Sequence, residues 1–177
     1  MGYKHRRSDL LDAAVEAVVD EGLGQLSFGR LAARLGIADR TVVYYFPTKE
    51  QLVTEVLAVL GAQLMTVLDD AFGREPLPPD ELLRRAWPAL TTDAADRVFR
   101  VFFECVGLSV AGIAPYADLT PALLDAWAAW LEPRVAAGDD ARARTLALMA
   151  KLDGLLLLRH ISGAEPAEAA ARSLGVA

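Results

Sequence analysis

The chain has one cysteine, Cys105, among 177 residues. An internal disulfide is impossible, and a lone thiol suits a reducing compartment such as the cytoplasm. Histidine is nearly as scarce. His5 and His160 stand far apart, neither near a cysteine or second histidine at metal-ligand spacing, so no metal is expected. No cofactor is expected either: Gly22-Leu23-Gly24 lacks the third glycine and the preceding strand of a dinucleotide fingerprint. Long hydrophobic runs are missing. The most apolar stretch, residues 101–115, is broken by Glu104 and Ser109 and is shorter than the roughly 20 residues that span a bilayer. The first apolar run begins only at Leu10 and carries acids, so no secretory leader is expected. Arg6 stands where a myristoylation signal requires Ser or Thr. These absences point to a cytoplasmic chain without a membrane partner. Strand-type alternation and hairpin signals are also lacking, which leaves an all-α fold as the expectation.

What is present is apolar bulk and uneven charge. Hydrophobic residues make up 54% of the chain and the net charge is -6. Residues 1–52 hold seven Lys/Arg against seven Asp/Glu, so the acidic excess belongs entirely to the remainder. Lys4, His5, Arg6 and Arg7 crowd the start. An N-terminal section free of the acidic excess is compatible with a phosphate partner, although a solvated terminus reads the same way.

Helix punctuation is dense. Ser8 reads as the cap of a first helix with Asp9 and Asp12 in its first turn, the stripe Leu11, Ala14, Val15 and Val18, and a stop at Gly22. Ser27 caps a second helix, with Phe28, Leu31, Ala32 and Leu35 on one face and Gly36 as its stop. A short third helix runs from about Asp39 to Phe46. Pro47 ends it, and Thr48-Lys49-Glu50-Gln51 reads as a capping box opening a fourth helix that extends toward Phe72. Residues 73–80 form a loop. Helical patterns follow near 80–91, 93–112, 121–137, 140–161 and 166–174. Pro88 and Pro133 are expected to kink or divide two of them, and Thr120-Pro121 reads as a helix start.

Gly36-Ile37-Ala38 is all that separates the second and third helices, a helix-turn-helix spacing. Val42 and Phe46, four apart, share a face suited to the core. Arg40, Thr41 and Tyr44 then point the other way, flanked by Val43 and Tyr45. A short helix presenting arginine, threonine and tyrosine suits a DNA major groove. Lys49 and Ser27 sit at helix starts, where unpaired N–H groups favour phosphate.

Residues 8–52 therefore resemble the DNA-binding head of the tetracycline-repressor (TetR) family. The carrying residues are Gly22, Leu26-Ser27, Leu31-Ala32, Leu35-Gly36-Ile37, Thr41, Phe46-Pro47, Lys49-Glu50 and Leu52. Two positions depart from the family pattern. Val43 replaces a tyrosine that commonly touches DNA, and Ala38 replaces a capping serine, leaving Asp39 as a candidate cap. These changes bear on operator sequence more than on fold.

The resemblance implies a helix-turn-helix domain at 1–47 and a helical ligand-binding and dimerisation domain at 48–177. It implies a homodimeric, ligand-responsive regulator, usually a repressor, whose partners are double-stranded operator DNA, a small-molecule effector and a second copy of itself. The DNA-contacting set on this reading is Ser27, Asp39, Arg40, Thr41, Val43, Tyr44, Tyr45 and Lys49. The effector pocket is expected among Trp87, Phe99, Phe102, Phe103, Glu104, Trp127 and Trp130, which read singly as ordinary core. Glu104 pairs with Arg100 or orients a ligand. The helix at 140–161 and the short one after it resemble the family's dimerisation pair, with Leu146, Met149, Leu152, Leu155, Leu156 and Arg159 at the interface.

Two other readings stay open. One is a helical ligand-binding or interaction protein with weak or lost DNA binding. The other is a small helical hydrolase, because Gly107-Leu108-Ser109-Val110-Ala111 approaches a nucleophile elbow and His160 follows it. That motif requires a strand before its serine, and no strand is expected here.

Overall fold

The computed structural model describes residues 6–136 and 138–177. Lys4 and His5 of the basic start lie outside the described residues. Nine α-helices follow one another among the described residues: α1 (Arg7–Glu21), α2 (Phe28–Leu35), α3 (Asp39–Tyr45), α4 (Lys49–Phe72), α5 (Pro79–Leu90), α6 (Asp93–Val110), α7 (Tyr116–Leu131), α8 (Ala141–Ser162) and α9 (Ala164–Ser173). Short 3₁₀ turns at Leu23–Gln25 and Glu132–Arg134 close α1 and α7. The only strand-like pairing among the described residues is an isolated bridge between Leu77 and Val135.

Local chemistry sets the ends in the first half. The Ser27 hydroxyl accepts from the Arg30 amide at 3.2 Å, and Thr48 accepts from Gln51 at 3.1 Å. Each cap satisfies one amide that the first turn leaves without a partner. Gly36 takes a left-handed φ of 66°, and the Ile37 amide folds back to Ala32 O at 3.0 Å, so α2 stops there and the chain turns into α3. The expected Ser8 cap is not used. The carboxylate of Asp9 accepts from the Arg6 amide at 2.9 Å, and α1 begins two residues early, at Arg7 with Arg6 as its cap. Its buried stripe is Leu10, Ala14 and Val18, not the register through Leu11 and Val15.

The second half departs further. Thr120-Pro121 does not start α7, which begins at Tyr116. The Thr120 side chain is buried and its Oγ1 lies 3.2 Å from Cys105 Sγ, so a tertiary contact overrides the start signal. Pro88 leaves α5 intact until Leu90, whereas Pro133 falls in the 3₁₀ turn that ends α7.

Two hydrophobic clusters form the core. The first joins Leu10, Val18, Leu31, Val42 and Phe46 of the head to Leu52–Leu60 of α4 and to Val101 and Cys105 of α6. The second holds Leu64, Leu68 and Phe72 of α4, Phe99 of α6, and the buried faces of α5, α8 and α9. Three helices, α4, α6 and α7, thus belong to both clusters, α7 through Tyr116 in the first and Leu131 in the second. Fully burying a Phe or Leu side chain contributes about 1.5–3 kcal/mol, so these shared helices tie head and body firmly together. By length and composition alone α4 is apolar enough to cross a membrane, but its apolar face is the one divided between the two cores.

Candidate nucleic-acid interface and ligand cavity

The short α3 has one inward face. Val42 and Phe46 are fully buried, and each anchors the helix in the head cluster. Their burial forces Arg40, Val43 and Tyr44 outward. Tyr44 is 78% exposed, and its ring meets that of Tyr45 edge-on at 5.0 Å. Tyr45 and Thr41 are half-buried at the margins of this face. Ser27, Asp39 and Lys49 are also exposed.

Cation pairing is uneven across the head. Arg34 reaches Asp20 at 3.3 Å, Glu21 at 3.2 Å and Glu16 at 3.7 Å. Arg30 is bonded to Gln25, and Arg7 pairs with Glu55 while its guanidinium lies 4.7 Å from the Phe46 ring. Arg40 and Lys49 have no hydrogen-bond or ion-pair partner among the described residues. These two exposed cations, at the start of α3 and the start of α4, are thus open to an outside anion. Asp39 does not cap α3; the N-cap is Ala38, with no side-chain bond. Its carboxylate instead turns toward α2, where a Cβ on Gly29 would lie 3.3 Å from Oδ2.

The body holds a cavity of about 80 Å³ walled by α4, α5, α6, α7 and α8. Four of the expected aromatics line it: Phe99, Phe102, Trp127 and Trp130. The other three expected pocket residues do not. Trp87 is buried and donates through Nε1 to Glu168 at 3.0 Å, which fastens α5 to α9. Phe103 turns to His160, with ring centroids 5.3 Å apart. Adjacent residues on a helix point about 100° apart, and the rotation of α6 sets Phe102 on the wall and Phe103 against His160.

Glu104 is the largest correction. It meets neither Arg100 nor the cavity. Its carboxylate accepts from the backbone amides of Leu23 and Gly24, both at 2.8 Å, in the 3₁₀ turn after α1. A Cβ on Gly22 would approach Glu104 Oε2 to 2.9 Å, and one on Gly24 would approach Oε1 to 3.3 Å, so these glycines make room for the carboxylate. A body helix thereby grips the head through two charge-assisted hydrogen bonds.

Sequence reasoning missed the apolar wall from α4, including Leu57, Leu60, Gly61 and Leu64, and it missed Asp153. The α4 residues recur at helical spacing and were legible. Asp153 is one turn beyond Met149 on the cavity face of α8 and reads in sequence as a solvated acid. It has no hydrogen-bond or ion-pair partner among the described residues, and burial pushes its carboxyl up to about 6.

On α8, most of the expected interface residues are engaged within the chain. Leu155 and Leu156 are buried in the body core, and Met149 and Leu152 line the cavity. Arg159 holds Asp96 at 2.8 and 2.7 Å and Thr91 O at 3.0 Å. That guanidinium keeps the Asp96 carboxyl below its usual range. Only Leu146 of the six is exposed. A different stripe faces outward: Ala143, Ala147, Ala150, Gly154, Leu157 and Ile161, with Ile161 74% exposed. The expected residues carried the strongest apolar signal, and for that reason they were drawn into the chain's own core.

The nucleophile-elbow resemblance fails on geometry. Ser109 lies inside α6, and both His160 ring nitrogens face backbone oxygens, Leu156 O at 2.8 Å and Asp96 O at 2.9 Å. Burial raises the Cys105 thiol pKa, so the thiol acts as a packing group.

Residues 10–56 match the family model for bacterial regulatory proteins of the tetR family. No curated protein matches the chain. Solved structures match along nearly its whole length. A TetR transcriptional regulator from Legionella pneumophila has a TM-score of 0.68 at 18% identity, covering 98% of this chain and 97% of that one. A transcriptional regulator from Rhodococcus sp. Rha1 has a TM-score of 0.69 at 22% identity, over 88% and 84%. The multidrug binding protein EbrR, complexed with proflavin, has a TM-score of 0.67 at 22% identity, over 96% and 97%. At these identities the likeness speaks for the fold.

Proposed function

We propose that this chain, which belongs by its head to the tetR family of bacterial regulatory proteins, is a cytoplasmic, homodimeric repressor that binds a pseudo-palindromic operator and releases it when a small, largely apolar effector enters the body cavity. One observation carries the DNA reading. Arg40 and Lys49 are exposed and without partners among the described residues, while Arg7, Arg30 and Arg34 are held within the head. On this reading Arg40 addresses a base edge, Tyr44 a phosphate or base, and Lys49 and the start of α2 at Ser27 the backbone. Thr41, Val43, Tyr45 and Asp39 border the contact.

Dimerisation is assigned to the exposed stripe from Ala143 to Ile161, with Leu174, 57% exposed, continuing the apolar surface beyond α9. Small side chains there allow α8 to lie close against its copy, and a two-fold axis then sets two α3 helices toward successive major grooves. Effector control follows from α4 and α6. Both line the cavity, and both reach the head, α4 through its start at Lys49 and α6 through Glu104. A ligand acts only if it binds the released arrangement better than the DNA-bound one, and a cavity of about 80 Å³ favours effectors that part these helices.

Selection of bound sequences from a random DNA pool tests the reading. The expected product is an inverted repeat with half-sites about one helical turn, or a multiple, apart. Recovery of no sequence, with binding insensitive to salt, would instead support the second reading, a helical ligand-binding protein without strong DNA affinity. Exposed Val43 in the middle of the contact face, 42% accessible, is the feature that favours it.

A further inference from the structure

We propose that the body cavity is a site for an organic cation, with the carboxylate of Asp153 as its counter-ion and the rings of Phe102 and Trp127 around it. This deepens the effector reading above and concerns the same cavity. Every other side chain lining that space is uncharged, polar only at the indole N–H of Trp127 and Trp130, and Gly61 has none. A carboxylate in such a wall is costly to hold ionised, because no donor or cation replaces the water it has lost. Asp153 has neither: no hydrogen bond and no ion pair reaches it from the described residues. A neutral ligand without a donor would leave that deficit in place, a neutral donor would meet it only in part, and an anion would worsen it. A monocation supplies the missing charge as well.

The ring geometry fits the same class. Trp127 and Trp130 meet edge-on at 5.4 Å, and Phe99 and Phe102 do so at 6.1 Å. Such pairs present ring faces in different directions, and a cation is attracted to the face of an aromatic ring. One face in this group already holds a cation: the Arg134 guanidinium lies 3.9 Å from the Trp130 centroid and is tied outside by Asp69 at 3.1 Å. The faces of Trp127 and Phe102 have no such occupant among the described residues. No other titratable side chain lines the cavity from α4, α5, α6 or α7, so its charge is that of Asp153 alone.

Titration follows with a definite sign. With its carboxyl pushed up to about 6 by burial, Asp153 is ionised above that pH and neutral below it. Affinity for a permanently charged cation should therefore rise with pH through this region and level off above it. An uncharged ligand of the same shape should bind equally on both sides.

The test uses the full chain, its tryptophan fluorescence and two probes, benzyltrimethylammonium and its uncharged carbon isostere neopentylbenzene. At pH 8 the cation should bind, and Asp153→Asn should weaken it at least tenfold while changing the isostere less than twofold. Asp153→Glu should retain most of the cation affinity. In the unmodified chain the cation should lose affinity at pH 5 and the isostere should not, an arm that needs no variant. The proposal is overturned if Asp153→Asn weakens both probes alike, if it weakens neither, or if the isostere binds and the cation does not. It is equally overturned if neither probe binds at millimolar concentration. No DNA is present in these measurements. Their failure leaves the transcriptional reading standing, and an empty operator selection leaves the cation site standing.

Discussion

An acid held charged in an apolar wall should weaken the fold, and the size of that effect follows from the titration of Asp153. Its carboxyl rises from 3.8 to about 6 on folding. At 1.36 kcal/mol per pH unit this corresponds to about 3 kcal/mol lost once both states are ionised. The open mouth of the cavity admits some screening, so about 2–3 kcal/mol is the working figure. The sign follows from proton counting. Between pH 4 and 6 the folded chain keeps the proton and the unfolded chain releases it, so stability falls as pH rises through that window and is flat above it. Asp153→Asn replaces the acid by a neutral group of the same shape. The variant should match the parent near pH 4 and exceed it by about 2–3 kcal/mol at pH 7–8, roughly 4–12 °C in Tm for a chain of this size. Thermal melts of both proteins across pH 4–8, at one protein concentration and one ionic strength, measure the difference. A gain equal at every pH would point to packing and refute the ionisation argument. No gain at any pH would mean that the carboxylate is solvated.

Three further outcomes are expected. Lys49→Ala should weaken all DNA alike and reduce the salt slope by about one unit, and Tyr44→Phe should weaken operator binding with an unchanged melt; titrations at several salt concentrations separate the two. Glu104→Gln keeps one acceptor oxygen and sets an NH2 donor against the other backbone N–H, so it should cost about 1–3 kcal/mol in a denaturant melt and reduce the effect of effector on DNA binding. Leu157→Glu with Ile161→Lys should give a folded monomer in sedimentation velocity, whereas an unmodified chain that is already monomeric at micromolar concentration would remove the two-fold arrangement.

The head was legible because its signals are local. Ser27 and Thr48 cap the turns in which they stand, Gly36 takes its left-handed φ at the turn itself, and Val42 and Phe46 fix the orientation of α3 by their spacing alone. The body depends on which helix meets which. Thr120-Pro121 carries every local mark of a start, yet Thr120 is buried against Cys105 and α7 begins four residues earlier, at Tyr116. Phe102 and Phe103 are equally aromatic, and only the rotation of α6 decides that one faces the cavity and the other His160. Glu104 and Asp153 were misread or missed for one reason. An acid is ordinarily solvated, and its sequence neighbours do not reveal a partner 80 positions away or the lack of any partner.

The route from cavity to head can be narrowed from the same residues. Phe102 and Glu104 are two positions apart on α6. A cation seated against Phe102 and Asp153 therefore acts on the stretch of α6 that grips the Leu23–Gln25 turn. The grip is short, two bonds of 2.8 Å, and hydrogen bonds weaken steeply with misalignment, so a small rotation of α6 would release it. Packing holds α4 over a longer run, Leu52–Leu60 in the head cluster and Leu64–Phe72 in the body, than α6, which gives Ala95 and Phe99 to the body and Val101 and Cys105 to the head. Packed apolar faces resist gradual sliding, since close packing leaves few intermediate arrangements. The effector signal should then pass first through Glu104, with α4 following as the head reorients. Glu104→Gln distinguishes the orders. If α6 leads, the variant should bind effector normally while its DNA affinity changes little on binding. If α4 leads, coupling should survive the substitution and only stability should fall.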